Sequence, residues 1–457
     1  AEQPAYVIFT SGSTGAPKGV RITHGNLAHY LTSWAVDRLA AAGTGGAPVF
    51  SSVAFDMSVT ALWAPLLCGQ RVLLLPEDLE LSELGRQLVA AGPFSFVKLT
   101  PGQLEVLGDQ LDEADVDALA AVYVVGGEAF PAELARRWLA VLGPDRLVNE
   151  YGPTEITVAD AAHWVAEVGA GARVPIGTAL PGTTAVLLDE QLRPVADGAV
   201  GELFVGGAGV ADGYVGDPAL TAQRFLPAPD GPPGARLYRT GDLVRRLPDG
   251  GLDVLGRADQ QVKIRGYRVE PDEVRAVLVA APSVRDAVVV ADRQRLIGYV
   301  VPATPDNPPE VDELLAACRD RLPDYLVPAV LLEIPSVPLT ANGKLDRDRL
   351  PDPTAASTGP RRPRTPVQER VAAIWTDLLG VEVGIDDRFF QVGGHSILVL
   401  RLVARIQSEF DVAIPVAAVF TNPTIAGLAA VIEDAVLADI EALSDDEVRS
   451  RLAEEVA

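Results

Sequence analysis

Cysteine is nearly absent from this chain of 457 residues: Cys68 and Cys318 stand far apart and in no CxxC pair. That argues against a disulfide framework and against a zinc knuckle. The four histidines, His24, His29, His163 and His395, show no metal-ligand spacing. No apolar run reaches the roughly 20 residues a membrane helix needs, and no signal peptide is legible. Positive charge is in deficit, with 38 Lys and Arg against 62 Asp and Glu and a net charge of −24. So acidic a surface disfavours nonspecific nucleic acid and anionic membranes, and a cytoplasmic location is the default expectation.

What is present suffices for more than one domain, with 48% hydrophobic residues to build the cores. Residues 1–256 read as α/β, because short β-rich runs (AYVIFT, QRVLLLP, AAVYVVGG, GELFVGG) alternate with helical patterns such as AELARRWLAVLG. Residues 257–350 read as a smaller α+β unit, with VKIRGYRV as a strand pair and PDEVRAVLVA as a helix that has Pro271 near its start. The stretch PDPTAASTGPRRPRTP, 351–366, breaks every periodicity and reads as a linker. Residues 367–437 carry three apolar-periodic segments and predict a small helical bundle. A tail over 438–457 holds a capping box, Ser444 with Glu447. The opening AEQPAY has no methionine, as expected of a piece of a longer polypeptide.

Two local strings raise chemistry. FTSGSTGAPKG follows the first strand and is not a Walker A loop, since no GK[ST] closes it. Gly12 and Gly15 let backbone N–H groups approach an anion, while Thr10, Ser11, Ser13, Thr14 and Lys18 add hydroxyls and a charge. Near the other end, VGGHSI places Ser396 before a helical run. Its candidate roles are a helix cap, a hydrolytic nucleophile and a point of covalent attachment. The string lacks the second glycine of GxSxG, and the adjacent His395 is badly placed as a base, which weighs against the nucleophile. A cap and an attachment point are compatible.

Nine ordered strings make a resemblance specific: FTSGSTGAPKG, FDMSVTALW, NEYGPTE, GELFVGGAGVADGY, YRTGDL, GRADQQVKIRGYRVEPDEV, LPDYLVP, NGKLDR and FFQVGGHSI. The chain resembles an amino-acid adenylation domain followed by a peptidyl carrier domain of a nonribosomal peptide synthetase, within the adenylate-forming superfamily. The resemblance implies a partial large α/β subdomain, a small α+β subdomain and a four-helix carrier bundle. It also departs from the pattern, because family members carry a long segment ahead of the phosphate loop. It implies ATP and Mg²⁺, an aminoacyl adenylate, and a thioester on 4′-phosphopantetheine carried by Ser396. A phosphopantetheinyl transferase, condensation or other synthetase domains and an MbtH-like helper are the partners it allows. Two alternatives stand beside it. One is a catalytically incomplete fragment that serves only as a carrier. The other is an acyl-CoA synthetase relative, which would share the phosphate loop, but Asp56 and the carrier segment argue against it.

By the same resemblance, Thr10 to Gly15 and Lys18 would hold phosphates, Gly127 would belong to the ATP site, and Tyr151 would pack near the adenine. Thr154 would touch the α-phosphate, Glu155 would help bind Mg²⁺, and Asp242 and Arg257 would take the ribose. Asp259 would be the hinge and Gly266 would line the thiolation tunnel. Lys344 would bridge carboxylate and nucleotide during adenylation. Asp56 would bind the substrate α-ammonium, with Met57, Thr60, Lys98, Val124, Gly126, Glu150, Val158 and Ala159 forming the side-chain pocket. Lys98 and Glu150 would stay unsatisfied around an apolar guest, unless they pair with each other or point to solvent. An amide accepts and donates at once, so asparagine or β-hydroxyasparagine is expected, with aspartate as the alternative.

Overall fold

The computed structural model describes residues 1–12, 16–76, 79, 81–259, 261–264, 266–292, 295–304, 309–340, 345–353, 361–394 and 396–442. Two compact units separate by contacts, one of residues 1–277 with 322–326, the other of 278–321 with 327–457. Among the described residues no helix is long and apolar enough to cross a membrane, and Cys68 and Cys318 are both free.

The first unit is organised by a five-stranded sheet of Phe94–Leu99, Ala120–Gly126, Leu147–Tyr151, Ala161–Trp164 and Thr178–Ala179, in that order. The first three strands run parallel. All six residues of Phe94–Leu99 and all five of Leu147–Tyr151 are buried, as a sheet covered on both faces requires. Strand side chains alternate between faces, so Phe96, Val122, Val124 and Val148 enter one core. Val97, Leu99, Tyr123, Val125 and Leu147 enter the other. A second sheet joins Thr183–Leu188, Val200–Gly207, Arg236–Arg246, Phe225–Pro227 and Leu252–Arg257.

The phosphate-loop strand Pro4–Thr10 pairs antiparallel with Lys18–Thr23. The hairpin of Val262–Ile264 and Tyr267–Val269 belongs to this first unit. The expected break at 257 is therefore not where contacts divide the chain. Tyr267 stacks on Phe55 at 5.5 Å and on Tyr325 at 4.0 Å between ring centroids, and these rings hold the hairpin against residues before and after it.

The second unit holds a three-stranded sheet, Val284–Asp292, Arg295–Pro302 and Val330–Glu333, the helix Val311–Arg321, and a bundle of four helices, Pro366–Leu379, Ser396–Phe410, Val416–Thr421 and Ile425–Ala442. The bundle agrees with the expectation, although its last helix passes the expected end at 437. Thr365 caps the first helix by accepting from the Gln368 N–H at 3.2 Å, and Pro366 occupies the first turn, where its missing N–H costs nothing. Trp375, Phe389, Leu402, Ile406 and Leu428 fill the bundle core. The tail capping box, Ser444 and Glu447, lies outside the described residues.

The two glycines ahead of Ser396 have separate structural causes. Gly393 has φ 117°, a conformation that L side chains rarely adopt. Gly394 donates its N–H to the Phe389 carbonyl at 2.8 Å, and a Cβ there would run into that carbonyl and the Phe389 ring. Phe389 is fully buried and cannot retreat. Gly394→Ala is therefore expected to destabilise the carrier bundle by about 1–3 kcal/mol, as overpacking does. Calorimetric unfolding of the full chain checks this, and an unchanged carrier transition would contradict it.

Candidate active site

One cavity in the first unit, of ≈ 50 Å³, gathers residues from distant parts of the sequence. Asp56, Met57, Lys98, Gly126, Glu150 and Val158, expected around the substrate, line one part of it, and Gly127, Tyr151, Thr154, Asp242, Arg257 and Gly266 line the rest. Thr60, Val124 and Ala159 are not among the lining residues. Thr60 stands one step behind the wall, bonded to Lys98, while Val124 and Ala159 belong to the apolar core.

Sheet geometry brings the pocket residues to one face. Lys98 pairs with Val124, Val124 with Val148, and Gly126 with Glu150. Counting by twos from the core residues Phe96, Val124 and Val148 places Lys98, Gly126 and Glu150 on their face. Asp56 precedes the helix Met57–Leu67, so Asp56 and Thr60 lie one turn apart on the same helix side.

Lys98 and Glu150 form a buried ion pair, each side chain 2% exposed. Lys98 also donates to Thr60 Oγ1 at 2.9 Å and weakly to the Tyr30 hydroxyl at 3.4 Å. Glu150 Oε1 accepts from Trp34 Nε1 at 2.7 Å and from Tyr30 at 3.2 Å. The sequence left two readings of these charges, a substrate that satisfies both or a pair that satisfies itself, and the structure holds the pair. Tyr30 and Trp34, which complete the network, were missed. They lie on a helical stretch with no motif of its own, and only the tertiary fold turns them toward Glu150.

Asp56 is different. It is 5% exposed, and its Oδ2 has no hydrogen-bond partner. Burial raises its carboxyl to about 6, against the opposing effects of a Thr154 hydrogen bond and the Lys98 charge. The cavity thus contains a desolvated carboxylate oxygen with nothing to pair it.

Glu155 and Lys18 do not themselves line the cavity, and the charged groups around its remaining wall are already engaged. Glu155 has no exposed side-chain surface. It binds Arg268 at 2.7 Å, the Tyr214 hydroxyl at 2.7 Å and Lys18 at 3.6 Å. Burial would push its carboxyl up, but Arg268 first and Lys18 second outweigh that and hold it down at about 2. Lys18 is lowered to about 8, by burial first and then by Arg268. Asp242 accepts from Arg257 at 2.6 Å and from the Tyr151 hydroxyl. Arg257 reaches on to Asp259 at 2.7 and 2.9 Å, so the expected hinge residue is tied to the expected ribose contact. Lys263 lies 5.5 Å from the centre of the Tyr151 ring, over its face. Gly266, at φ 84°, gives its N–H to Glu128.

Of the phosphate loop, the Thr10 hydroxyl is buried without a partner and the Ser11 hydroxyl donates to the Arg268 carbonyl at 2.6 Å. Ser13, Thr14, Gly15 and Lys344 lie outside the described residues. Ser396 is the first residue of its helix. Thr157 and Val158 have φ of 62° and 73°, and such strain in a β-branched pocket residue is characteristic of functional sites. Asp160 was also missed. Both its carboxylate oxygens are buried without partners, and burial first, then the charge of Asp242, holds it well above the usual carboxylate range.

The donor chemistry at Glu155 fits a divalent cation. The carboxylate is kept ionised in a dry place and already gathers two cations. No group of three His, Cys, Asp or Glu that could hold a metal occurs among the described residues. A metal at Glu155 would need its other ligands from phosphate and water, which is how Mg²⁺ is commonly held.

Comparison with known proteins agrees with this anatomy. Residues 1–215 match the AMP-binding enzyme family, 273–344 the AMP-binding enzyme C-terminal domain, and 369–432 the phosphopantetheine attachment site family. The chain is 42% identical to phosphinothricin tripeptide synthetase PhsC of Streptomyces viridochromogenes over 93% of its own length and 39% of that protein's. It is 40% identical to a dimodular nonribosomal peptide synthase of Bacillus subtilis, over 94% of this chain and 18% of that one. The chain thus spans less than half the length of these curated relatives. Among solved structures, holo-PA1221, a nonribosomal peptide synthetase protein containing adenylation and carrier domains, superposes with a TM-score of 0.77 at 30% identity, covering 95% of this chain and 73% of that one. The chain belongs to the adenylate-forming enzymes of nonribosomal peptide synthesis, as an adenylation domain joined to a peptidyl carrier domain.

Proposed function

We propose that the chain activates a neutral polar amino acid with ATP, releasing pyrophosphate, and passes it as a thioester to its own carrier domain. The observation that carries this reading is the unpartnered Asp56 oxygen, in a cavity whose amino-acid end otherwise holds a neutralised ion pair. A buried lone carboxylate calls for a cation, and the α-ammonium of an amino acid supplies one. The substrate carboxylate oxygen would then attack the α-phosphorus as the bond to pyrophosphate breaks. In this reading Thr154 and Lys344 steady the α-phosphate side, Asp242 and Arg257 the ribose, and Lys18 with the phosphate loop the departing phosphates. The 4′-phosphopantetheine arm that a phosphopantetheinyl transferase would place on Ser396 would, with AMP as the leaving group, supply the thiol that takes the acyl group. Condensation or other synthetase domains would receive it.

The ion pair also bears on the substrate. Lys98 and Glu150 together carry no net charge, so an aspartate or lysine side chain would enter without a counter-ion. What remains free is one acceptor position on Glu150 and the weak Lys98–Tyr30 contact at 3.4 Å. An amide uses both, donating to the first and accepting in place of the second. This favours asparagine or its β-hydroxylated relative over aspartate.

Amino-acid-dependent ATP–pyrophosphate exchange tests the proposal. Exchange is expected to peak at asparagine or β-hydroxyasparagine and to fall on the order of 10²–10³-fold in Lys344→Ala. A maximum at aspartate would refute the neutral-guest argument while keeping the enzyme. No exchange with any amino acid, while Ser396 still accepts phosphopantetheine, would leave a carrier only. The acid limb gives a second test. Below about 6 the free-enzyme Asp56 is protonated and cannot pair an ammonium, so kcat/KM for the amino acid should fall as pH drops through that value. Asp56→Asn should be poor at every pH and lack that limb. Third, Lys98→Met strands the Glu150 charge and should cost about 3–5 kcal/mol in unfolding free energy, most of it recovered in Lys98→Met with Glu150→Gln. Equal stability of the single variant and the parent would refute the pairing.

A further inference from the structure

Glu155, the carboxylate read above as a metal ligand, is not waiting empty-handed. Its Oε2 is taken by the Arg268 guanidinium at 2.7 Å, and its Oε1 by the Tyr214 hydroxyl and Lys18. Arg268 reaches further: another of its guanidinium nitrogens lies 3.3 Å from the Tyr238 hydroxyl, and its backbone carbonyl takes the Ser11 hydroxyl of the phosphate loop at 2.6 Å. One residue thus occupies both the carboxylate and a loop hydroxyl that the nucleotide reading needs.

Two features make this occupation reversible. Arg268 sits on a hairpin of two three-residue strands, an element too small to be stable alone. Its Nε is buried with no partner, so its fit to the site is incomplete. A guanidinium and Mg²⁺ both seek the same oxygen, but Mg²⁺ requires a bond of about 2.0–2.1 Å, which leaves no room for an N–H on that lone pair. Glu155 meanwhile cannot be left bare, because a wholly buried carboxylate needs a cation.

We infer that Arg268 is a tethered cation that competes with Mg²⁺ for Glu155. Binding of the metal–nucleotide displaces it, and its return keeps the carboxylate paired once the metal has left with pyrophosphate. The inference rests on the reading of Glu155 as the metal carboxylate. It makes Arg268 a positioning residue whose removal should strengthen metal binding, which is the reverse of what removing a phosphate ligand would do.

The test is titration of Mn²⁺ into the full chain with β,γ-methylene-ATP, followed by electron paramagnetic resonance of free Mn²⁺. Arg268→Met should tighten Mn²⁺ by about 5-fold or more, the lower end of ordinary coupling between sites. Arg268→Lys, which keeps a charge but loses the planar fork, should shift it less in the same direction and serves if the methionine variant does not fold. In a Glu155→Gln background the Arg268 substitution should have no effect. Unchanged or weaker Mn²⁺ binding in the Arg268 variants, while Glu155→Gln does weaken it, overturns the competition and leaves the Glu155 reading standing. A Glu155→Gln chain that binds Mn²⁺ as the parent does overturns both.

Discussion

A carboxylate wholly cut off from water, Glu155, is the constraint on which the nucleotide end of this site depends. Its charge survives burial only because Arg268, Lys18 and Tyr214 converge on it from three separate segments. Lys18 ends the phosphate loop, Tyr214 lies on a short strand that pairs with the strand after that loop, and Arg268 sits on the late hairpin. Holding one charge therefore locks together elements that the chain visits some 250 residues apart, Lys18 and Arg268 being the extremes. Moving any of them changes the electrostatic balance of the others, which is why the site is coupled rather than a set of independent contacts.

The amino-acid end follows a different logic. There the charges of Lys98 and Glu150 cancel inside the protein, and Thr60, Tyr30 and Trp34 fill the remaining bonds. Among the described residues at that end, the open demand is Asp56. In the proposed function Asp56 would anchor the constant part of an amino acid by charge, and the few hydrogen-bond positions left would discriminate among side chains. A cavity of ≈ 50 Å³ also limits what it holds in this arrangement, since ligand sites for nucleotides are several times larger. Lys263 and Arg268 of the late hairpin line that cavity.

Much of the fold was legible along the chain. The β-rich run at 120–127 announced one strand of the central sheet, and the three apolar-periodic segments beyond the Pro-rich stretch announced the carrier bundle, whereas the buried strands at 94–99 and 147–151 carry no pattern that singled them out. Ordered motifs drew Asp56, Thr154, Asp242 and Arg257 to one cavity, which the structure also does, because each motif is a local string with a local geometry. The unit boundary was not legible. Ring stacking of Tyr267 on Phe55 and Tyr325 draws the hairpin to the first unit, and no composition shift marks that contact.

Sequence by itself determined which residue types could do chemistry here and in what order: hydroxyls and glycines after the first strand, a carboxylate before a helix, a serine behind two glycines. Strand periodicity of two orders the side chains within each strand, but it is the pairing of separate strands that puts Lys98 and Glu150 on one face. Only the tertiary structure decided that those two charges neutralise each other and that Tyr30 and Trp34 serve Glu150. It alone decided that Asp56 keeps a free oxygen and that Arg268 covers Glu155. Each of these is a side-chain contact between distant segments in a place without water, where the energy of a charge depends on its nearest neighbours and no local pattern records who they are.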